Sequence, residues 1–462
     1  MCYFSRNCIK STSTKCVEFN FSLNEIFNIY AIFSINMSKK PNIILFITHD
    51  QGQLIGCYDS PQMSNSLNTP NLDKLAAKGV RFTNNFCTAP QCSPSRGSIQ
   101  TSLYPHQNGL MGLVNRGWTL PKTNKTLPMY LKENGYSTHL IGIQHESKKT
   151  FTLGYENEMR IDKISDFFLE HKDDDNPFYV CIGTFGVHIP FNQFGAPVDP
   201  ETVKVPPFLP DHMTVRKDLS ELYGAIHFID NLIGKIINYL EKYNLRDNTL
   251  FIFTTDHGPA MPRAKCTLYD PGIKTSLIMS LPSSRLFSSE KVIENMISNI
   301  DLLPSILDFI DGDIPKNIEG RSFLPILENE KDLFRTEIFV EKSWHDIYDP
   351  MRGIRTEKYK YVRNFEKKET SFLLPLDISY IRSGRAINEI MKETYAKPSL
   401  EEELYDLEKD PNEKNNLIDD PSYKNIAAEL RAKLNDWMER TNDPILKGKI
   451  DHPKMARKKK SI

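Results

Sequence analysis

An α/β fold, with a large, mainly parallel sheet flanked by helices and a smaller C-terminal α+β domain, is what the 462-residue sequence predicts. Three observations lead there. Short continuous apolar runs such as Ile43 to Ile47 recur along the chain, and strands apolar on both faces suit a parallel sheet covered by helices. Segments with helical periodicity lie between those runs, the alternation that builds such sheets. After about residue 335 the alternation gives way to short segments rich in β-formers, as in an antiparallel sheet.

The first 36 residues stand apart, with three cysteines and one apolar run, Ile26 to Ile35, broken by Asn28. That run is too short to span a membrane. Glu18 and Glu25 precede it and no small-x-small site follows it, a poor export signal. Residues 1–36 are therefore expected to be a leader, disordered or outside the working protein, with the fold starting near Met37. The catalytic domain is expected over 37–335, the α+β subdomain over 336–450, and a solvated basic tail over 451–462.

Within the large domain, Ile43 to Ile47, Val80 to Phe86, Ser137 to Ile141, Phe178 to Ile182 and Leu250 to Phe253 read as strands. Thr69-Pro70 opens a helix with a capping threonine and a first-turn proline, and Gly79 stops it. Met129 to Asn134, followed by Gly135, reads as another helix. Leu222, Ile226, Ile229, Ile233, Ile236 and Leu240 fall at helical spacing, a long amphipathic helix. In the smaller domain Thr336 to Val340, Arg352 to Thr356 and Tyr359 to Arg363 read as strands, and Ser422 to Thr441 as a closing helix.

Lys and Arg total 58 against 59 Asp and Glu, a formal charge of −1, so no global field argues for nucleic acid or a membrane as partner. The eight cysteines show neither disulfide-framework density nor zinc spacing.

Chemistry is expected at the carboxyl ends of the strands, and the suggestive polar residues gather there. Cys92-Ser93-Pro94-Ser95-Arg96 follows the Val80–Phe86 run and precedes a helix start at Gly97 to Leu103. A nucleophile there meets unpaired N–H groups and the positive end of a helix dipole, which suits an anionic substrate, and Arg96 can fork onto oxygen pairs. Thr48-His49-Asp50-Gln51-Gly52 and Thr255-Asp256-His257-Gly258 end two strands far apart in sequence. Such acid and imidazole pairs can converge on one divalent ion beside the nucleophile.

Cys-x-Pro-x-Arg continued by Gly97-Ser98-Ile99-Gln100-Thr101-Ser102 resembles the signature of the sulfatase family. The resemblance runs from Pro41 to about Lys447, and several segments are most similar to the N-sulfoglucosamine sulfohydrolase subgroup and its microbial relatives. They include Pro105 to Gly109, Asp349-Pro350-Met351-Arg352 and Glu403-Leu404-Tyr405-Asp406. The resemblance implies an alkaline-phosphatase-like large domain. It also implies that a separate formylglycine-generating enzyme converts Cys92 to formylglycine, whose hydrate attacks sulfur. The metal ligands it implies are His49, Asp50, Cys92, Asp256 and His257, around calcium in the family. An aspartate is usual where His49 stands, and two imidazoles tilt the site toward manganese or another softer ion. A one-residue shift would instead match Asp50-Gln51 to the Asp-Gln pair of related phosphonate and choline-ester hydrolases.

The same resemblance gives Cys92, Arg96, His145, His188 and Lys265 as catalytic residues. Lys265 would bind sulfate with Arg263 assisting, His188 would protonate the leaving group, and His145 would serve on the nucleophile side. Ile143 replaces the lysine usual two residues before His145. His345 and Asp346 could read a sugar at the mouth of the site, or belong to a loop packed on the large domain. His106 is expected to be structural, and His171, His212 and His452 solvated. The expected substrate is a small or oligosaccharide sulfate, ester or sulfamate. With no export signal the compartment leans to the cytoplasm. A phosphodiester or phosphonate hydrolase, a weakly catalytic sulfated-sugar-binding protein and an unmodified cysteine enzyme are the alternatives.

Overall fold

The structure is a computed structural model and describes residues 40–329 and 333–453. The leader expected over residues 1–36 and the basic run Arg457 to Lys460 lie outside the described residues. The described residues from Pro41 onward form one compact unit. No described helix is long and apolar enough to cross a membrane.

Nine strands form the larger sheet: β1 (Asn42–Thr48), β2 (Val80–Phe86), β3 (Ser137–Gly142), β4 (Asn157–Met159), β5 (Phe178–Thr184), β6 (Thr249–Thr255), β7 (Lys274–Ser280), β8 (Lys291–Ile293) and β9 (Ile297–Ser298). Their order is β4-β3-β5-β1-β6-β7-β2-β8, with β9 also on β2. Only β7 runs against the rest, pairing antiparallel with β6 and β2. The second sheet, β10 (Glu337–Trp344), β11 (Tyr348–Thr356), β12 (Tyr359–Asn364) and β13 (Glu402–Asp406), is antiparallel throughout. The expected fold class is therefore the observed one.

Numbering only helices of seven residues or more, α1 is Pro70–Ala77, α2 Cys92–Thr101, α3 Leu127–Glu133, α4 Ile164–Glu170, α5 Met213–Lys242, α6 Leu302–Phe309 and α7 Lys424–Arg440. Alternate residues of β1 feed two cores. Ile43, Leu45 and Ile47 belong to one core with residues of α2, α3 and α6, while Ile44 and Phe46 belong to another with the apolar face of α5. All seven residues of β1 are buried, and each apolar side chain so buried supplies roughly 1.5–3 kcal/mol. That burial on both faces fixes the strand whose end carries His49 and Asp50.

Three local expectations need correction. Thr69 precedes α1, but its hydroxyl accepts Gly56 N–H at 2.9 Å and donates to Asp73 at 2.9 Å instead of capping the helix backbone. The helix expected from Gly97 starts at Cys92, because the first turn tolerates Pro94. His171 and His452 are only partly solvated: His171 bonds Asp174 at 2.6 Å and packs on Phe167, and His452 stands edge-on to Trp118 and Trp344. His212 is exposed and accepts Thr214 N–H at the start of α5.

Buried polar contacts tie the second sheet to the first region and to the segment after α7. His106, just before Gly109, bonds Glu341 of β10 at 2.9 Å, while Arg352 of β11 bonds Asp443, beyond α7. Lys360 of β12 reaches Asp270 and Glu413 at 2.6 Å each.

Candidate active site

The ends of β1, β3, β5 and β6 lie along one edge of the sheet, where the β2–α2 and β6–β7 loops also arrive. Asp256 follows β6 and its N–H donates to Thr48 O at 3.2 Å, drawing the β6 and β1 ends together. Asp50 adopts a left-handed backbone, φ 48°, which costs a non-glycine residue about 1 kcal/mol or more. Its own N–H holds it there, donating to Asp256 Oδ1 at 3.0 Å.

Cys92, the first residue of α2, is buried with every other residue of that helix. Its Sγ lies 3.3 Å from His257 Nε2 and 3.6 Å from Asp50 Oδ1. Asp50 Oδ1 and His257 Nε2 are themselves 3.0 Å apart. Asp256 Oδ1 lies 3.7 Å from the same His257 nitrogen, and Asp256 Oδ2 lies 3.1 Å from His49 Nδ1. One ligand atom each from Asp50, Cys92 and His257, and one each from His49, Asp50 and Asp256, lie within 4.8 Å of one another.

This donor set fits a divalent cation. Two carboxylates this close repel unless a cation or protons intervene. Both ring nitrogens of His49 are buried without an aligned hydrogen-bond partner, the state expected of an imidazole awaiting a metal. Burial, then the charge of Arg96, holds His49 down to about 4, so its imidazole is neutral and able to ligate.

The charges around the donors are mutually arranged. Burial works against ionised Asp50, yet Lys265, His188 and His257 outweigh it and keep the carboxyl well below the usual range. Lys265 Nζ lies 2.8 Å from Asp50 Oδ2 and 2.6 Å from Asp377 Oδ2, pairs that keep it charged despite burial. Burial pushes the Cys92 thiol well above its ordinary value, with Lys265 opposing. His188 donates from Nδ1 to Ile189 O, 2.7 Å away, leaving Nε2 toward the site, 3.8 Å from Asp50 Oδ2. Burial, then His49 and Arg96, lowers His145 to about 3.

The nine residues expected to act in catalysis or hold the metal therefore meet at one sheet edge, while Arg96 among them, and Arg263, His345 and Asp346 outside them, have settings other than those expected. Arg96 does not fork onto a carboxylate. It lies behind Asp256, donating Nε to Asp256 Oδ2 at 3.1 Å and Nη2 to the carbonyls of Ile47 and Thr48. Arg263 turns away from the site: it lies over the Tyr269 ring and donates to the carbonyls of Asn412 and Glu413. His345 is buried and bonded to Asp346, whose other oxygen accepts Leu376 N–H at 3.2 Å. Those two hold a turn rather than standing open at the mouth.

Two residues at the site had escaped the sequence reading. Asp377 comes from the second region, in Leu374-Pro375-Leu376-Asp377, a loop without any motif. Phe185 lies three residues before His188, and its ring stacks on His49 with centroids 4.9 Å apart. Its place directly after the apolar β5 run was the available signal.

The mainly parallel sheet with this polar site at its strand ends is an alkaline-phosphatase-like fold. The chain belongs to the sulfatase family, which matches residues 41–312, while the N-sulphoglucosamine sulphohydrolase C-terminal family matches residues 263–380, and it is a sulfuric ester hydrolase. Human N-sulphoglucosamine sulphohydrolase is 28% identical over 477 residues, covering 89% of this chain and 93% of the relative. An ulvan-active sulfatase of Formosa agariphila is 26% identical over 472 residues, covering 88% of this chain and 76% of the relative. A protein solved in complex with its substrate D-glucosamine-2-N,6-O-disulfate shares the fold with a TM-score of 0.65 at 20% identity, covering 88% of this chain and 99% of that one.

Proposed function

We infer that the protein hydrolyses a sulfate ester or sulfamate on a sugar, using a formylglycine nucleophile made from Cys92 and one divalent ion. One observation carries this reading: the Cys92 Sγ sits at a helix N-terminus, 3.3 Å from His257 and 3.6 Å from Asp50. Human N-sulphoglucosamine sulphohydrolase, the ulvan-active sulfatase and the protein bound to a disulfated glucosamine support a sugar as substrate.

His49, Asp50, Asp256 and His257 would hold the ion together with the group at position 92. The ion would lower the pKa of a hydroxyl there and draw charge from sulfuryl oxygens. Calcium is the family's ion, but two imidazoles favour manganese or another softer one. Lys265 would donate to a non-bridging sulfuryl oxygen, where an ammonium in a water-poor site stabilises developing charge. His188, anchored through Nδ1, would pass its Nε2 proton to the departing oxygen or nitrogen. His145 stands near Cys92 and would accept a proton from a hydroxyl at that position. Arg96 would keep Asp256 ionised and oriented. A formylglycine-generating enzyme would have to act on Cys92 before the chain folds, since α2 is wholly buried.

The raised Cys92 pKa disfavours catalysis by an unmodified thiolate. A phosphonate or phosphodiester hydrolase keeps support from one feature: Gln51 Oε1 is buried without a hydrogen-bond partner, so the Asp50-Gln51 pair has an acceptor to offer. Comparing turnover of a sulfated glucosamine, an aryl sulfate and an aryl phosphonate by the matured, metal-loaded protein separates the readings. Sulfate release from the sugar supports the sulfatase, and faster phosphonate cleavage without it supports the alternative.

A further inference from the structure

The geometry points to Phe185 and Asp377 as the subsite for the sugar ring that carries the sulfate. Phe185 gives the face on which the ring lies, and Asp377 accepts from a hydroxyl or ammonium of that ring and opposes a second sulfate. This inference rests on the sulfated-sugar reading above.

Phe185 is 41% exposed although its ring packs against the buried His49. It stacks on His49 with an interplanar angle of 22° and stands edge-on to His188 at 5.6 Å and His145 at 6.2 Å. Single exposed apolar side chains are ordinary on a protein surface. This one differs by its position beside the leaving-group histidine, where the group bonded to the sulfate must lie. The C–H face of a sugar ring is apolar and matches a phenyl surface, while its hydroxyls need acceptors at the edge.

Asp377 supplies such an acceptor. One ligand atom each of Asp50, His188 and Asp377 lie within 4.8 Å of one another, so Asp377 faces the leaving-group side. Its Oδ2 takes Lys265 Nζ at 2.6 Å and its Oδ1 takes Ile378 N–H at 2.9 Å. Each carboxylate oxygen can accept more than one bond. The side chain keeps 20% exposure, and that of His188 keeps 27%, so both border the opening. Asp346 is a positioning residue for this turn through Leu376 N–H. Lys265, the cation the transferred sulfate must share, is already paired with Asp50 and Asp377. A further sulfate beside Asp377 therefore meets a like charge, whereas an ammonium or hydroxyl meets an acceptor.

The test measures binding separately from turnover, using metal-loaded Cys92→Ala protein, which lacks the nucleophile. An N-sulfated glucosamine should bind at least about tenfold more tightly than the N,O-disulfated sugar, the scale of one charge-assisted hydrogen bond. Adding Asp377→Asn should bring the two affinities together, with an unchanged melting profile showing that the fold survives. Adding Phe185→Leu should weaken both sugars about two- to tenfold, the range of an aromatic contact, and leave their ratio intact. Equal affinities before any change at Asp377, or a ratio that Asp377→Asn does not move in folded protein, would overturn the assignment. Unchanged affinity in Phe185→Leu would do so for the ring face. Selective binding with no sulfate release by matured protein would instead refute the sulfatase reading and leave the subsite standing.

Discussion

Lys265 Nζ lies 2.8 Å from Asp50 Oδ2, and both side chains are fully buried. Removing one partner of such a pair leaves an uncompensated charge, which costs about 3–5 kcal/mol. Lys265→Met is therefore expected to destabilise the metal-free protein by about that amount, and a divalent ion on Asp50 should recover part of it. Urea unfolding with chelator and with added manganese measures both effects. Equal stability of variant and parent in chelator would contradict the pairing.

Ion selectivity follows from the donors. A site with His49 and His257 beside two carboxylates should be stabilised by manganese at lower concentration than by calcium. Melting temperature against each free ion reads this directly. A calcium requirement indifferent to manganese would show that His49 is not a ligand.

A histidine away from the metal donors sets a pH dependence. Burial first, and His171 second, holds His139 down to about 4 from an ordinary 6.5. Below 6.5 the unfolded chain takes up a proton that the folded chain refuses, so stability falls as pH drops toward about 4, and not above that window. His139→Leu should flatten this slope in denaturation measured across the window. An identical slope in the variant would remove His139 as the cause.

The buried thiol predicts poor reactivity. With Cys92 raised by burial and 1% exposed, unmodified folded protein should resist alkylation there at mildly alkaline pH and label only on unfolding. Rapid labelling of native protein would revive the unmodified-cysteine enzyme.

His188 carries the leaving-group prediction. Nδ1 is engaged by Ile189 O at 2.7 Å, which leaves Nε2 to face the substrate. His188→Gln should lower kcat for a sugar sulfate about 10²–10⁴-fold, the range for a lost general acid, and far less for an aryl sulfate whose phenolate departs unaided. Equal losses on both substrates would assign His188 to binding.

Much of this was legible in the sequence because it is local. Ile43 to Ile47 is apolar on both faces, so the buried strand and the placement of His49 and Asp50 at its end follow together. Cys92, Asp256 and His257 were likewise read at strand ends or a helix start, and the structure brings them to one edge. What escaped depends on distant packing. Nothing near Asp377 marks it, because its meaning comes from Lys265 more than a hundred residues earlier in the chain. Arg263 was misread for the same reason: the carbonyls that capture it belong to residues 412 and 413. The sequence lets Arg96 fork onto an oxygen pair, whereas the carbonyls at the end of β1 and one oxygen of the Asp256 carboxylate take up its donors.

The most direct measurement is the mass of the tryptic peptide Phe82 to Arg96 from protein matured in its own host, paired with sulfate release by the same sample. The account predicts an active protein whose peptide carries an aldehyde in place of the thiol at residue 92. Sulfate release by protein that holds only the unmodified thiol there would contradict it.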